Sequence, residues 1–321
     1  MQKVLEMLTE AEYVSGEQIS AALGISRTAV WKKIEQLRQE GWKIEAAGKR
    51  GYRLDPEDRL DPVLWQKQLP DGCCGKDSAC FLQEVDSTNL RLKQLAVQGA
   101  PHGTVCLAEC QTAGRGRLGR GWESPAGKGL YLSVLLRPQL PPDKAPFLTL
   151  CTAMAMNHAV RQCTGLDSAI KWPNDLVCRG KKLCGILLEI SADPDQIEYV
   201  VIGTGLNVRP GCYPPELADR AASLEELGSN VLRRDLLVVY LQELTRLAGV
   251  LEEQGFAGLR EQYRRESCTI GSRVRVIGSQ SFIGTAEDID ETGALLVRDE
   301  EGTLRRVLSG DVSVRGIMGY V

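Results

Sequence analysis

Val4, Leu5 and Leu8 recur at helical spacing and predict a first amphipathic helix. A second helix, capped by Ser15 or Gly16, holds Ile19, Ala22 and Leu23 and ends at Gly24, because glycine readily takes the left-handed turn that stops a helix. Ser26 caps a third helix, with Val30, Ile34 and Leu37 on its inner face and Gly41 as its stop. Two short alternating runs, Trp42–Ala46 and Tyr52–Leu54, flank the turn Ala47–Gly51. Three helices with a tight second turn, then a hairpin, make the winged helix-turn-helix pattern. The polar, Pro-containing stretch Asp55–Pro62 is expected to be a linker.

From 63 to 270 strands and helices mix. The pattern predicts strands Ala79–Val85, Thr104–Glu109, Leu130–Leu136, Ala169–Trp172, Leu183–Ile190 and Tyr199–Val208. It predicts helices Asn89–Gln98, Lys144–Cys163, Arg234–Glu252 and Leu259–Glu266. Leu237, Tyr240, Leu241, Leu244, Leu247 and Leu251 put an apolar stripe on the third of these. Strands are often neighbours without an intervening helix, so the fold class is α+β with a central mixed sheet. Residues 271–321 change to short strands, Arg273–Ile277, Phe282–Ile289, Ala294–Arg298, Thr303–Leu308 and Val312–Val314, separated by turns such as Glu291-Thr292-Gly293. This predicts a small antiparallel SH3-like β-barrel. The expected domains are therefore 1–62, 63–270 and 271–321.

Composition narrows the classes. The net charge of −3 argues against a wholly basic nucleic-acid coat, though not against one local DNA-binding face. The 11 cysteines lack zinc-ligand spacing and are expected to be reduced and mostly buried, with no metal site of their own. No signal-peptide pattern and no membrane-length apolar run is visible, so a cytoplasmic protein with no membrane partner is expected.

The chemistry gathers in four segments. Gln111-Thr112-Ala113-Gly114-Arg115-Gly116-Arg117-Leu118-Gly119-Arg120-Gly121-Trp122 alternates glycines and arginines directly after a strand. Glycines allow close backbone approach and arginines supply planar donors for phosphate or carboxylate, so the loop is expected to be a mobile anion clamp. A plain surface loop or an RNA-binding arginine-glycine segment is the competing reading. Lys171-Trp172-Pro173-Asn174-Asp175 precedes Lys181-Lys182-Leu183-Cys184-Gly185. Pro-Asn-Asp suits an ordinary hairpin, yet such a hairpin can aim Asp175 and a strand-held lysine at one point. Spacing alone leaves Lys181 and Lys182 both open, and Gly185 would admit a flat ligand. Asp86-Ser87-Thr88-Asn89 lies between a strand and a helix, as an N-cap or as donors and acceptors for a polar heterocycle. Gly203-Thr204-Gly205-Leu206-Asn207 is a strand with two glycines, hence a bulge or a ligand against the backbone.

These four segments, in this order, resemble the biotin–protein ligase family. The resemblance covers nearly the full length and is to its bifunctional bacterial members, which place a winged helix before the ligase and a small barrel after it. It implies biotin contacts at Ser87, Thr88, Asn89, Gln111, Arg115, Gly116 and Arg117, and Lys182 and Gly185 are expected to touch biotin as well. It assigns the essential lysine to Lys182, with Arg115 and Arg117 as catalytic partners. Nucleotide contacts fall on Arg117, Arg120, Trp122, Asn174, Asp175 and Asn207, with Trp122 near the adenine. Leu118 departs from members that carry arginine there. The implied substrates are biotin and ATP with Mg²⁺. Arg115, Arg117, Lys182 and Mg²⁺ would screen the meeting of two anions, the biotin carboxylate and the α-phosphate. Biotinyl-5′-adenylate is water-sensitive, which calls for a closing lid. A lysine of a biotin carboxyl carrier protein, the acetyl-CoA carboxylase acceptor, would then take the biotin.

The third N-terminal helix offers Ser26, Arg27, Thr28 and Lys32 away from its apolar face, and the wing adds Lys49 and Arg50. Residues 1–54 carry nine Lys/Arg against seven Asp/Glu, so fold pattern rather than charge carries the expectation of operator binding. A homodimer is expected when adenylate is bound, because one winged helix contacts too few base pairs. Two other readings compete: a lipoate ligase, and a ligand-sensing regulator without catalysis. Trp172-Pro173 and the full arginine-glycine loop favour biotin, and intact Lys182 favours catalysis.

Overall fold

The structure, a computed structural model, describes residues 2–55, 58–278, 281–309 and 313–316, the side chains of Gln2, Lys49 and 313–316 excepted. The chain divides into two compact units, Met1–Lys67 and Gln68–Val321.

In the first unit α1 is Gln2–Met7, α2 Gly16–Leu23 and α3 Arg27–Gln39. Ser15 caps α2 reciprocally with Gln18, and Gly24 closes it at φ 63°. Ser26 caps α3 by accepting from the Ala29 N–H. Strands β1 (Ile44–Ala46) and β2 (Tyr52–Leu54) form an antiparallel hairpin. Gly51 stands at φ 108°, and a Cβ there would lie 2.1 Å from the Val14 carbonyl, so the chain can cross only as glycine. Leu8, Ile19, Val30, Ile34, Leu37, Ile44 and Leu54 make the core. Ala22, expected inside, is exposed, while Leu23 packs at the core's margin. The compact unit runs past the expected boundary at 62. A short helix, α4 (Pro62–Trp65), adds Leu64 to the core, and its polar approach hides the buried Leu60.

The second unit is built on a seven-stranded sheet of order β3-β4-β5-β9-β8-β7-β6. Its strands are β3 (Ala79–Val85), β4 (Val105–Gln111), β5 (Gly129–Leu136), β6 (Ala169–Lys171), β7 (Asp175–Cys178), β8 (Lys181–Ala192) and β9 (Ile197–Asn207). Only β3 and β4 pair in parallel, because α5 (Thr88–Val97) makes the crossover between them. α5 covers one face through Leu92 and Ala96 against Cys106, Leu135 and Val201. α6 (Pro146–Thr164) and α7 (Arg233–Gln254) cover the other, where Thr204 of β9 meets the Tyr240 hydroxyl of α7. The α7 stripe is buried as its spacing requires. All of β5 is buried, as a strand covered on both faces should be. β7, absent from the hydrophobic pattern, is four residues long and begins inside the Pro-Asn-Asp turn.

After α8 (Ala257–Glu266) come β10 (Arg273–Ile277), β11 (Phe282–Ile289), β12 (Leu295–Asp299), β13 (Leu304–Val307) and β14 (Ser313–Gly316). They form one antiparallel sheet of order β13-β12-β11-β10-β14. The expected barrel is not closed: β13 pairs with β12 and β14 with β10, and the described residues show no ladder between these short edge strands. Val312, expected at the start of the last strand, lies outside the described residues. The sheet is tied to the larger one at Trp172, just after β6. Trp172 Nε1 donates to the Gly293 carbonyl at 3.1 Å and its N–H to Thr269 Oγ1 at 2.9 Å. The Trp172–Pro173 peptide is cis. Among the described residues, no helix is long and apolar enough to cross a membrane.

Candidate functional site

Side chains alternate across a strand, so Ser133 and Leu135 of β5 share the α5 face with Gly203 and Gly205 of β9 and Gly185 of β8. Three glycines on one face leave a bare patch of sheet. Its register is continuous through Val200–Leu206, so these glycines mark no bulge. Asn89 and Trp122 lie on the patch, and Lys182 reaches its Gly185 edge. A Cβ at Gly203 would stand 2.3 Å from Asn89 Oδ1, and one at Gly205 2.3 Å from Trp122 Nε1. The glycines thus admit Asn89 and Trp122 against the backbone.

Above the patch is a cavity of about 680 Å³, within the usual range for small-molecule sites. Ser87, Thr88 and Asn89 line it from the start of α5, and Gln111 from the end of β4. Ser87 stands at the N-cap of α5, where its side chain makes no capping bond; the Thr88 N–H donates to Gln111 Oε1 at 2.9 Å, across to the next strand. Arg115, Gly116, Arg117, Arg120 and Trp122 line it from the loop, and Asn174, Asp175, Lys182 and Gly185 from the β7–β8 hairpin.

The loop folds as a narrow hairpin. Arg115 bridges Gly121, and the Trp122 N–H donates to the Gly114 carbonyl at 2.9 Å. Leu118, at φ 56°, is exposed at its tip. Arg117 donates to Asn174 Oδ1 at 2.9 Å and to the Ser309 carbonyl, joining loop, hairpin and C-terminal sheet. Burial lowers the Arg117 pKa, and Asp175 works against that shift. Lys182 Nζ lies 2.6 Å from Asp175 Oδ1 and 5.3 Å from the centre of the Trp122 ring. Lys181 instead donates to the Ala218 carbonyl, away from the cavity. The geometry therefore separates the two lysines that spacing left open.

Asn207 does not line the cavity. It is the last residue of β9, where the following chain crosses it: its Nδ2 donates to the Ala222 carbonyl and its carbonyl accepts from Leu224. Sequence reasoning missed Leu217, Asp219, Arg220 and Ala221, which line the cavity because Ala221 bridges the Lys182 backbone. No periodicity in this Pro-rich stretch marks that pairing. It also missed Ser133 and Glu189, which hold Asn89 from below.

In the first unit Ser26, Arg27, Thr28 and Lys32 are exposed on one side of α3, with Trp31 among them. Arg27 pairs with Glu17 at 2.8 Å, both side chains largely in solvent. Arg50 stacks 4.5 Å over the Tyr13 ring. The Lys49 side chain lies outside the described residues.

Residues 81–207 match the biotin/lipoate A/B protein ligase family, residues 1–53 a helix-turn-helix domain, and residues 269–315 the biotin protein ligase C-terminal domain. The chain is 36% identical over 318 residues to the bifunctional ligase/repressor BirA of Bacillus subtilis (strain 168), covering 97% of each. It is 32% identical over 316 residues to BirA of Escherichia coli (strain K12), covering 98% of this chain and 96% of that one. The solved structure of biotin protein ligase from Aquifex aeolicus in complex with biotin and ATP matches with a TM-score of 0.66 at 32% identity, over 75% of this chain and 99% of that chain. Shared over nearly the whole length of both relatives, this likeness establishes that the chain belongs to the BirA family of bifunctional ligase/repressors.

Proposed function

We infer that this protein activates biotin with ATP to biotinyl-5′-adenylate, transfers biotin to a lysine of a biotin carboxyl carrier protein, and represses transcription in response to biotin. The observation that carries the reading is one cavity with a neutral hydrogen-bonding end and a cationic end. Ser87, Thr88, Asn89 and Gln111 form the first end and suit a ureido ring. Arg115, Gly116, Arg117, Lys182 and Gly185 lie along the way to the second, where the carboxylate meets the α-phosphate. Arg120, Trp122, Asn174 and Asp175 are taken as the nucleotide's side of the cavity.

In this reading Lys182 and the loop arginines act on developing charge at the phosphoryl oxygens, where a preorganised cation is worth most. Lys182 exchanges Asp175 for phosphate as ATP enters. Mg²⁺ would come with the ATP phosphates and lower their charge; Asp175 and Asp219 are the carboxylates facing the cavity that could touch it. Among the described residues no cluster of three His, Cys, Asp or Glu side chains could hold a metal. The hairpin Gly114–Gly121 is taken as the lid that keeps water from the mixed anhydride.

The β1–β2 hairpin serves as the wing, and Ser26, Arg27, Thr28, Lys32, Lys49 and Arg50 as the DNA contacts. Two copies on a palindromic operator, joined when adenylate is bound, would supply the base pairs that one cannot. A repressor that senses unused biotin works where DNA and acceptor meet, in the cytoplasm. Pyrophosphate exchange with ATP tests the enzymatic reading. Exchange that depends on biotin supports it; exchange with lipoate instead, or none, overturns it.

A further inference from the structure

Ser133 is fully buried at the centre of β5, yet its hydroxyl touches two residues of the cavity wall. Its Oγ lies 2.6 Å from Asn89 Oδ1 and 2.7 Å from Thr88 Oγ1. On the far side, Asn89 Nδ2 donates to Glu189 Oε2 at 2.8 Å and to the Leu187 carbonyl at 3.4 Å. The other Glu189 oxygen accepts from Lys93 Nζ at 2.8 Å. A continuous line of hydrogen bonds thus runs from the Lys93–Glu189 pair to the cavity.

The direction of every bond in that line follows from one charge. A carboxylate only accepts. Asn89 must therefore turn its NH₂ to Glu189 and its carbonyl oxygen to Ser133. A carbonyl oxygen cannot donate, so the Ser133 proton goes to Asn89. Ser133 is then free to accept from Thr88, whose single proton is drawn inward. Thr88 Oγ1 also lies 3.2 Å from Gln111 Oε1, which accepts the Thr88 N–H and can accept the same hydroxyl, so the Thr88 proton is held on the protein side by either partner. Toward the cavity, Thr88 Oγ1 is left with lone pairs alone.

We propose that the Glu189–Lys93 pair fixes the polarity of the Asn89–Ser133–Thr88 relay, so that Thr88 meets the ligand as an acceptor and selects an N–H group such as a ureido nitrogen. Glu189 is in this sense a positioning residue: it reaches the ligand only through Asn89 and Ser133. The inference rests on biotin occupying this cavity. The ionisation state agrees with it: burial pushes the Glu189 pKa up, but the bonds from Lys93 and Asn89 outweigh burial and bring it below the ordinary value. The charged groups facing Glu189 are Lys93 from α5 and, further off, Arg115 from the loop.

The test is steady-state pyrophosphate exchange with biotin and ATP varied in turn. Glu189→Gln keeps the shape but can donate, so Asn89 can flip and the relay can reverse. The KM for biotin should rise about tenfold, the effect of losing one well-placed hydrogen bond. The KM for ATP and kcat should stay within about twofold of wild type, since the far end of the cavity is untouched. An unchanged biotin KM in Glu189→Gln, or equal losses for both substrates, would each overturn the proposal. If Glu189→Gln does not fold, Lys93→Met serves. Without its lysine Glu189 protonates more readily, so as pH falls toward the carboxylate range the biotin KM should begin to climb at a higher pH than in wild type; parallel profiles would sink the relay. Wild-type protein without biotin-dependent exchange would refute the ligase reading and this inference with it. Wild-type exchange combined with any of the failures above would refute this inference alone.

Discussion

At one end of the cavity, Thr88, Asn89, Gln111 and Ser133 hold one another on adjoining strands and a helix start; at the other, Lys182 and Arg117 hold Asp175, Asn174 and the Ser309 carbonyl. The first set needs no rearrangement to present its donors and acceptors. The second consists of cations on protein partners that phosphate oxygens would replace. A neutral heterocycle is recognised best by dipoles fixed in advance, because misdirected hydrogen bonds cost more than good ones gain. An anion is recognised best by charges that remain solvated or paired until it arrives, since a bare buried charge is expensive. The difference predicts that mutations at the two ends fail in different ways.

The largest expected effect is at the cationic end. Lys182→Ala should lower pyrophosphate exchange by about a hundredfold or more, the usual result of removing one preorganised charge. The biotin Kd from titration calorimetry should change far less. Lys181→Ala should retain most activity, because its ammonium is engaged with the Ala218 carbonyl. Near-normal exchange by Lys182→Ala would remove the basis for calling this end catalytic.

At the neutral end the sharpest probe is Gly203→Ala. Its new Cβ would sit 2.3 Å from Asn89 Oδ1, so Asn89 must leave its bed on the sheet. Overpacking of this kind costs about 1–3 kcal/mol, which should appear as a biotin KM raised roughly tenfold or more. A thermal melt should show a small drop in Tm as well. If the KM for ATP rises by the same factor, the two ends are not separate.

These effects reflect how much of the site was legible in the chain. Lys171–Asp175, the arginine-glycine run and Ser87–Asn89 are contiguous, so their chemistry could be read locally. Asp175 could be expected near a lysine because a tight turn joins their strands. Ser133 and Glu189 could not be found this way: each sits in an apolar run, and only the strand order β5-β9-β8 brings them beside Asn89. Asn207 stands apart from the cavity for the converse reason. It follows Gly203 and Gly205 on the same face, but the chain returning through Ala222 and Leu224 covers it. The helices and most strands followed from periodicity. β7 did not, because four residues after a turn hold too little pattern, and the open C-terminal sheet did not, because closure depends on ladders between edge strands rather than on strand count.

A smaller effect concerns the loop proposed as a lid between the ends. Arg115, Arg117 and Arg120 lie on the hairpin Gly114–Gly121, whose glycines make an open state entropically cheap. Biotin and ATP added together should slow tryptic cleavage after these residues several-fold, as an ordered loop is protected in proportion to its closed population. Biotin alone should protect less, because the arginines gain their strongest partners from phosphate. Equal cleavage in all conditions would place the change elsewhere in the cavity.

The smallest expected effect tests whether α3, proposed to face DNA, works by the same rule as the cationic end. Arg27 and Glu17 form a 2.8 Å ion pair with side-chain exposures of 69% and 76%. A pair so exposed is worth roughly 0–1 kcal/mol, so handing Arg27 to a DNA phosphate costs little. The probe is a duplex selected from a random pool by the wild-type protein in the presence of biotin and ATP. Arg27→Ala should weaken binding several-fold and flatten the plot of log affinity against log salt by roughly one unit, the signature of one lost phosphate contact. Glu17→Ala removes the competing carboxylate and leaves the cation in place. It should strengthen binding slightly and keep the wild-type slope. A weakened Glu17→Ala complex would mean that the ion pair aims Arg27 rather than merely occupying it, and the cation would then be held in advance, like the groups at the neutral end of the cavity.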